Sequence, residues 1–173
     1  MTTQSEITRA YSAGSTGIVS VEARINPDAA CDGFRIAGWH DFDSAPEGRI
    51  HEAIRAAGLD FPEGLVAASI GYHRNLSSTL DLATACAVLG AAGQLDAAVL
   101  RRTLLIGELR GFDGHVNAVC GAADAAGWVR MDGFRAVVVP AAQLQDVRAL
   151  GLMANVIGVR SMRETVDYLN SVA

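Results

Sequence analysis

From Thr103 to Val172 apolar runs alternate with helical patterns over short connections, and that alternation restricts the fold more than any other feature. Thr103–Leu109 reads as a buried strand ending in the turn Arg110–Gly114, and a helix from about Val119 to Ala126 stops at Gly127. Arg135–Pro140, with the run Ala136-Val137-Val138-Val139, reads as a strand covered on both faces. Ala141–Leu150 follows as a helix and Ala154–Val159 as a strand. Ser161–Val172 is a final helix, with Ser161 and Glu164 spaced as a capping box. A β-α-β-α-β-α order with short loops predicts a sheet covered by helices, the α/β class.

The first half fits the same architecture. Residues 17–26 alternate Ile18, Val19, Val21, Ala23 and Ile25 with Ser20, Glu22 and Arg24, a strand with one wet face. Phe34–Trp39 is a second short strand, joined through Gly33 in an expected hairpin. Ser44, Pro46 and Glu47 open a helix that Gly58 closes. Leu65–Gly71 returns as a strand, and Ser78-Thr79-Leu80-Asp81 opens a long helix running to Ala92 before Gly93. With 173 residues and a 50% hydrophobic fraction, the chain is expected to form one domain, its residues 1–10 flexible.

All fourteen basic residues are arginine, and no lysine occurs. A phosphate-binding loop with its lysine on the β- and γ-phosphates is therefore excluded. Schiff-base chemistry and a Ser–Lys dyad are excluded too, because arginine stays protonated. No apolar run reaches the roughly 18 residues needed to span a bilayer, and the start MTTQSEITRAYSAGS lacks a signal-peptide pattern. Cys31, Cys86 and Cys120 are widely spaced among apolar neighbours and read as small core residues in a reducing compartment. A cytoplasmic location is expected.

Tyr11-Ser12-Ala13, Gly17-Ile18 and Val19-Ser20-Val21-Glu22-Ala23 resemble the opening of the Mg-chelatase-subunit-like domain of ComM/YifB proteins. So, in order, do Gly33-Phe34-x-Ile36-x-Gly38, Arg49-Ile50-x-x-Ala53-Ile54-x-x-Ala57-Gly58 and Phe61-Pro62. Leu82-Ala83, Leu89-x-Ala91-x-Gly93, Gly107-Glu108-Leu109, Asp113-Gly114, Ala136-Val137-Val138-Val139-Pro140 and Tyr168-Leu169-Asn170 continue the match, with one extra residue near Gly111-Phe112. The resemblance implies the ribosomal S5 domain 2-like fold of the Lon protease domain. It also implies hexameric self-association and an AAA+ ATPase module following the domain, in proteins tied to DNA uptake and recombination. That module would begin where this chain ends, at Ala173. The magnesium-chelatase label does not imply porphyrin metallation, which needs the ATPase module and partner subunits.

On that resemblance the Lon nucleophile falls on Thr79 and the dyad lysine near Ala122 or Ala123. Alanine accepts no proton, and neither His73 nor His115 stands in its place. Ser77, Ser78 and Thr79 then read as helix-capping residues, with Ser78-x-x-Asp81 as a capping box. His40, Asp41 and Asp43 read as a solvated loop rather than metal ligands, and no metal or cofactor is expected. Ser12–Gly17 reads as a turn, not a phosphate nest. Tyr72, His73 and Arg74, with a patch of Arg101, Arg102 and Arg110, are candidates for nucleic-acid contact, opposed by the net charge of −5. The expected function is a catalytically inactive Lon-like scaffold, oligomerisation or adaptor module. A residual hydrolase using Thr79 and a nucleic-acid-binding module are the alternatives.

Overall fold

The computed structural model describes residues 6–14, 16–39, 46–71, 78–130 and 133–173. Strands β1 (Thr8–Gly14), β2 (Gly17–Asn26) and β3 (Gly33–Ala37) lead into helix α1 (Pro46–Ala56) and β4 (Leu65–Ile70). A 3-10 turn, Ser78–Leu80, runs into α2 (Asp81–Ala91), followed by the short α3 (Ala97–Leu100) and β5 (Thr103–Leu105). Next come β6 (Glu108–Leu109), β7 (Val116–Asn117), α4 (Ala122–Gly127) and β8 (Ala136–Pro140). The chain closes with α5 (Leu144–Arg148), β9 (Asn155–Val159) and α6 (Met162–Ser171).

Among the described residues, seven strands form one mixed sheet in the order β3-β4-β2-β1-β5-β8-β9, and β6 and β7 form a separate antiparallel ribbon. β1, β2 and β4 pair antiparallel, while β5, β8 and β9 run parallel and join β1 through Tyr11↔Leu104. Alternation along each strand divides two cores. Leu105 and Val138 face α1, α2 and α6, with Ile50, Leu82, Leu89 and Met162. Leu104, Val137 and Val139 face α4 and α5, with Ala122, Ala126 and Val147. Every residue of α2 from Asp81 to Leu89 is buried, so its alanines serve close packing on all sides. Gly90 continues that approach: a Cβ there would lie 2.5 Å from the Thr8 side chain and 2.7 Å from Leu100.

The α/β architecture agrees with the sequence, and several local expectations do not. Thr8–Ala10, expected in a flexible end, belong to β1, which lies inside the sheet and pairs from Thr8↔Ala23 to Gly14↔Gly17. That hairpin absorbs Ser12–Gly14. β1 escaped notice because TRAYSAG carries few large apolar side chains, although Ala10, Ser12 and Ala13 are fully buried. β3 forms no hairpin with β2; it pairs parallel with β4, which is inserted between them. The expected strand 103–109 ends at Leu105; Ile106 N–H still donates to Val138 O, but Gly107 N–H turns to Thr79 O and the chain passes into the ribbon. Cys31 and Cys120 are exposed, and Cys86 alone of the three is buried. Ser44 lies outside the described residues, while the Glu47 carboxylate accepts from Ile36 N–H at 3.3 Å. The final capping box forms: Ser161 Oγ accepts from Glu164 N–H at 3.2 Å.

Candidate functional site

Three elements meet where α2 begins. The first residue of α2, Asp81, is 0% exposed although a carboxylate. Its Oδ2 accepts from Arg49 Nε on α1 at 2.8 Å, and its Oδ1 from the same guanidinium at 3.0 Å. Oδ2 also accepts from Leu109 N–H of the ribbon at 3.0 Å. One carboxylate thus joins α1, α2 and β6 through a forked arginine pair and a backbone donor. Burial raises the Asp81 carboxyl to about 6, while Arg49 and the Leu109 N–H oppose the rise and Glu108 adds slightly to it. Desolvation wins because no water reaches the oxygens and Arg49, 23% exposed, keeps part of its charge in solvent.

A second set of polar contacts lies beside the first. Ser78 Oγ donates to Glu108 Oε2, and Asn117 Nδ2 donates to Glu108 Oε1 at 3.3 Å. The backbone closes the junction: Gly107 N–H donates to Thr79 O, Leu82 N–H to Gly107 O, and Ser12 Oγ to Thr79 O at 3.4 Å. Gly111 passes so close to α1 that a Cβ would sit 2.8 Å from the Glu52 carboxylate and 3.3 Å from Arg49 O. At the ribbon's exposed turn Arg110 pairs with Asp113 and lies 4.9 Å above the Phe112 ring, which is 76% exposed. Arg110 holds the Asp113 carboxyl down at about 2, with a smaller contribution from His115 N–H, which donates to it. Near the position expected to hold an extra residue, Phe112 and Asp113 are exposed, whereas Gly111 and Gly114 on either side are buried.

These contacts replace the capping box expected of Ser78-x-x-Asp81. Leu80 is the N-cap residue of α2 and its side chain makes no cap bond; Ser78 turns to Glu108, and Asp81 turns inward to Arg49. Spacing showed a carboxylate near free N–H groups but not that an arginine thirty-two positions earlier would compete for it. Thr79 is only 4% exposed, in the turn that feeds α2 on the first face of the sheet. Ala122 is buried in the second core and Ala123 half-buried beside it, behind Gly121 in a left-handed conformation (φ 71°). His115 stands at the ribbon's turn, bridged to Ser161.

The surface candidates separate. Tyr72, His73, Arg74 and Ser77 lie outside the described residues, as do His40, Asp41 and Asp43. Arg101 and Arg102 precede β5, whereas Arg110 lies beyond its far end with its charge paired, so the three form no single patch. Arg102 instead meets Arg135, whose N–H donates to Arg102 O at 2.8 Å. A cavity of about 600 Å³ between β3, α1 and the 59–64 loop was not foreseen. His51 packs edge-on to Phe61 with centroids 4.4 Å apart, and Phe34 lies 5.4 Å from Phe61. Phe61-Pro62 entered the sequence reading only as one fragment of the family resemblance, with no site attached to it.

Residues 23–143 match the family model described as subunit ChlI of Mg-chelatase. The chain is also similar to uncharacterized proteins of Mycobacterium bovis and of two Mycobacterium tuberculosis strains, each 32% identical over 168 residues. Those alignments cover 93% of this chain and 33% of each relative, so the chain spans about a third of the length of the curated relatives it matches.

Proposed function

Since this chain belongs to the family of subunit ChlI of Mg-chelatase, we propose that it is a non-catalytic, Lon-like scaffold of the ComM/YifB type. In this reading it holds neighbouring subunits, or an AAA+ partner, in a machine of DNA uptake and recombination. The carrying observation is the inward turn of polar groups at the start of α2. Where a Lon-type enzyme would present a nucleophile, Asp81 is engaged by Arg49 and Leu109 N–H, and Thr79 is buried. By the family resemblance alanine stands where the dyad lysine would be, and alanine accepts no proton. Carboxylate, guanidinium and backbone here act as a clamp that fixes three elements. A domain built that way suits the transmission of position between subunits, and closed rings need two different complementary faces on each copy.

A hydrolytic reading is favoured by one contact, and it falls on Ser78 rather than Thr79. Ser78 Oγ, Glu108 and Asn117 form a hydroxyl–carboxylate–amide series, the order of nucleophile, base and orienting group. The scaffold reading expects no difference in peptidase turnover among wild type, Ser78→Ala and Thr79→Ala. Turnover by wild type that Ser78→Ala abolishes would replace the scaffold with the enzyme. Light scattering tests the assembly half of the proposal: a strict monomer at high protein concentration removes self-association.

A further inference from the structure

A second cavity, of about 390 Å³, opens on the first face of the sheet at the N-terminal ends of β5, β8 and β9. The parallel register sets Thr103 beside Ala136 and Ala136 beside Asn155, so Arg102 and Arg135, the residues just before β5 and β8, lie next to one another where those strands begin. Neighbouring strands are about 4.8 Å apart, and Arg135 N–H bonds to Arg102 O. Both arginines line the cavity. Neither makes a salt bridge among the described residues, although the Asp96 carboxylate also lines the cavity. Asp96 is engaged elsewhere: its Oδ1 accepts from Ala98 N–H at 2.6 Å and Val99 N–H at 3.1 Å at the start of α3.

Two like charges at adjacent register positions repel one another. An anion held between them removes that repulsion, and the planar guanidinium fork matches phosphate or carboxylate oxygens in pairs. Charge decides between the two. A carboxylate supplies one negative charge, whereas a phosphomonoester carries about −1.5 to −2 at neutral pH, close to the sum of two guanidinia. The cavity is also larger than a bare phosphate needs, and its other walls include Tyr168, Val99 and Val172. An aromatic face with apolar neighbours suits a flat organic body. We infer that this cavity binds a phosphomonoester bearing a ring, the chemistry shared by a free mononucleotide and the phosphorylated end of a nucleic-acid strand. Arg102 and Arg135 grip the phosphate, and Tyr168 flanks the ring.

Calorimetric titration of the whole chain tests this with adenosine 5′-monophosphate, adenosine, and one short single-stranded oligonucleotide with and without its 5′-phosphate. Adenosine monophosphate should bind saturably at or below the millimolar range and adenosine should not. Arg102→Gln and Arg135→Gln should each weaken binding about tenfold or more, as expected for loss of hydrogen bonds to a charged group. Arg148→Gln, an exposed arginine on α5, should leave it unchanged. Tighter binding of the mononucleotide than of the phosphorylated strand identifies a free ligand, and the reverse order identifies a strand end; both support the site. Failure to saturate, equal affinity for adenosine, equal affinity for the strand lacking its 5′-phosphate, or an equal loss in Arg148→Gln overturns it. Because the scaffold is tested by turnover and light scattering, the two proposals fail separately.

Discussion

Beyond the C-terminal end of β5, Arg49 holds Asp81 and Arg110 holds Asp113, whereas at the N-terminal end Arg102 and Arg135 stand side by side with no carboxylate partner among the described residues. The residue type is the same at both ends, and the chain has no other strong cation. What differs is the setting. At the C-terminal end the guanidinium of Arg49 enters a junction of α1, α2 and β6, where it must offset a carboxylate that water cannot reach. At the N-terminal end Arg102 and Arg135 are exposed and line an open cavity, where solvent screening weakens their mutual repulsion. Arginine is structural in the first place and available in the second, and the difference lies in burial of its surroundings.

Breaking the buried pair should have the largest effect. Arg49→Leu leaves the Asp81 carboxylate uncompensated in the core, and removal of one partner from such a pair costs about 3–5 kcal/mol. For a domain of this size that lowers Tm by about 6–20 °C. The double variant Arg49→Leu/Asp81→Leu should recover most of the loss, since an apolar replacement of both partners is often neutral or better. If scanning calorimetry finds the single variant within 2 °C of wild type, the junction is not held by this pair and the contrast with Arg102 disappears.

Next in size is the pH response of the two aspartates, which should have opposite signs. Asp81 is raised to about 6 in the folded chain, against about 4 when unfolded. The native state therefore binds more protons between those values, and stability declines as pH rises from about 4 to about 6. The advantage of wild type over Asp81→Asn should shrink across that window and stay level above it. Asp113, held at about 2 by Arg110, contributes stability that is present above about 4 and lost as pH falls toward 2. Chemical denaturation of both Asn variants at several pH values checks the pair. An Asp81 advantage that grows with pH would mean that Arg49 outweighs desolvation.

Smaller effects sharpen the same contrast. Ser78→Ala removes a half-buried hydrogen bond to Glu108 and should destabilise by about 1 kcal/mol, read as a Tm lower by about 2–4 °C. The double variant Arg102→Gln/Arg135→Gln should lose no stability in phosphate-free buffer, because it removes only a repulsion. A clear fall in its Tm would show that these arginines are structural after all.

How much could be read beforehand varied with the kind of interaction involved. β8 was plain because Ala136–Val139 is apolar on both faces, and α6 because its cap and stripe are local. The end of the expected strand after Leu105 was not, since it depends on Gly107 bonding to Thr79 and Leu82 at the start of α2 and on its close passage there, where a Cβ would lie 2.6 Å from Val116. β1 was missed because its buried small residues gain their meaning only between β2 and β5. At the candidate site, Ser78 and Asp81 drew attention as caps, and their true partners lie thirty and thirty-two positions away. Arg101 and Arg102 are adjacent in the sequence, but the neighbour that Arg102 meets across the cavity is Arg135, just before β8 and thirty-three positions on.

The amino-acid sequence alone determined the α/β class, the family pattern and the absence of an amine nucleophile. Those depend on periodicity, on the order of motifs and on composition, which the linear chain carries directly. The tertiary structure alone decided which arginines are bound and which are free. A guanidinium's role follows from the carboxylates within a few ångströms of it and the water excluded around it, and both are set by strands and helices brought together from distant parts of the chain.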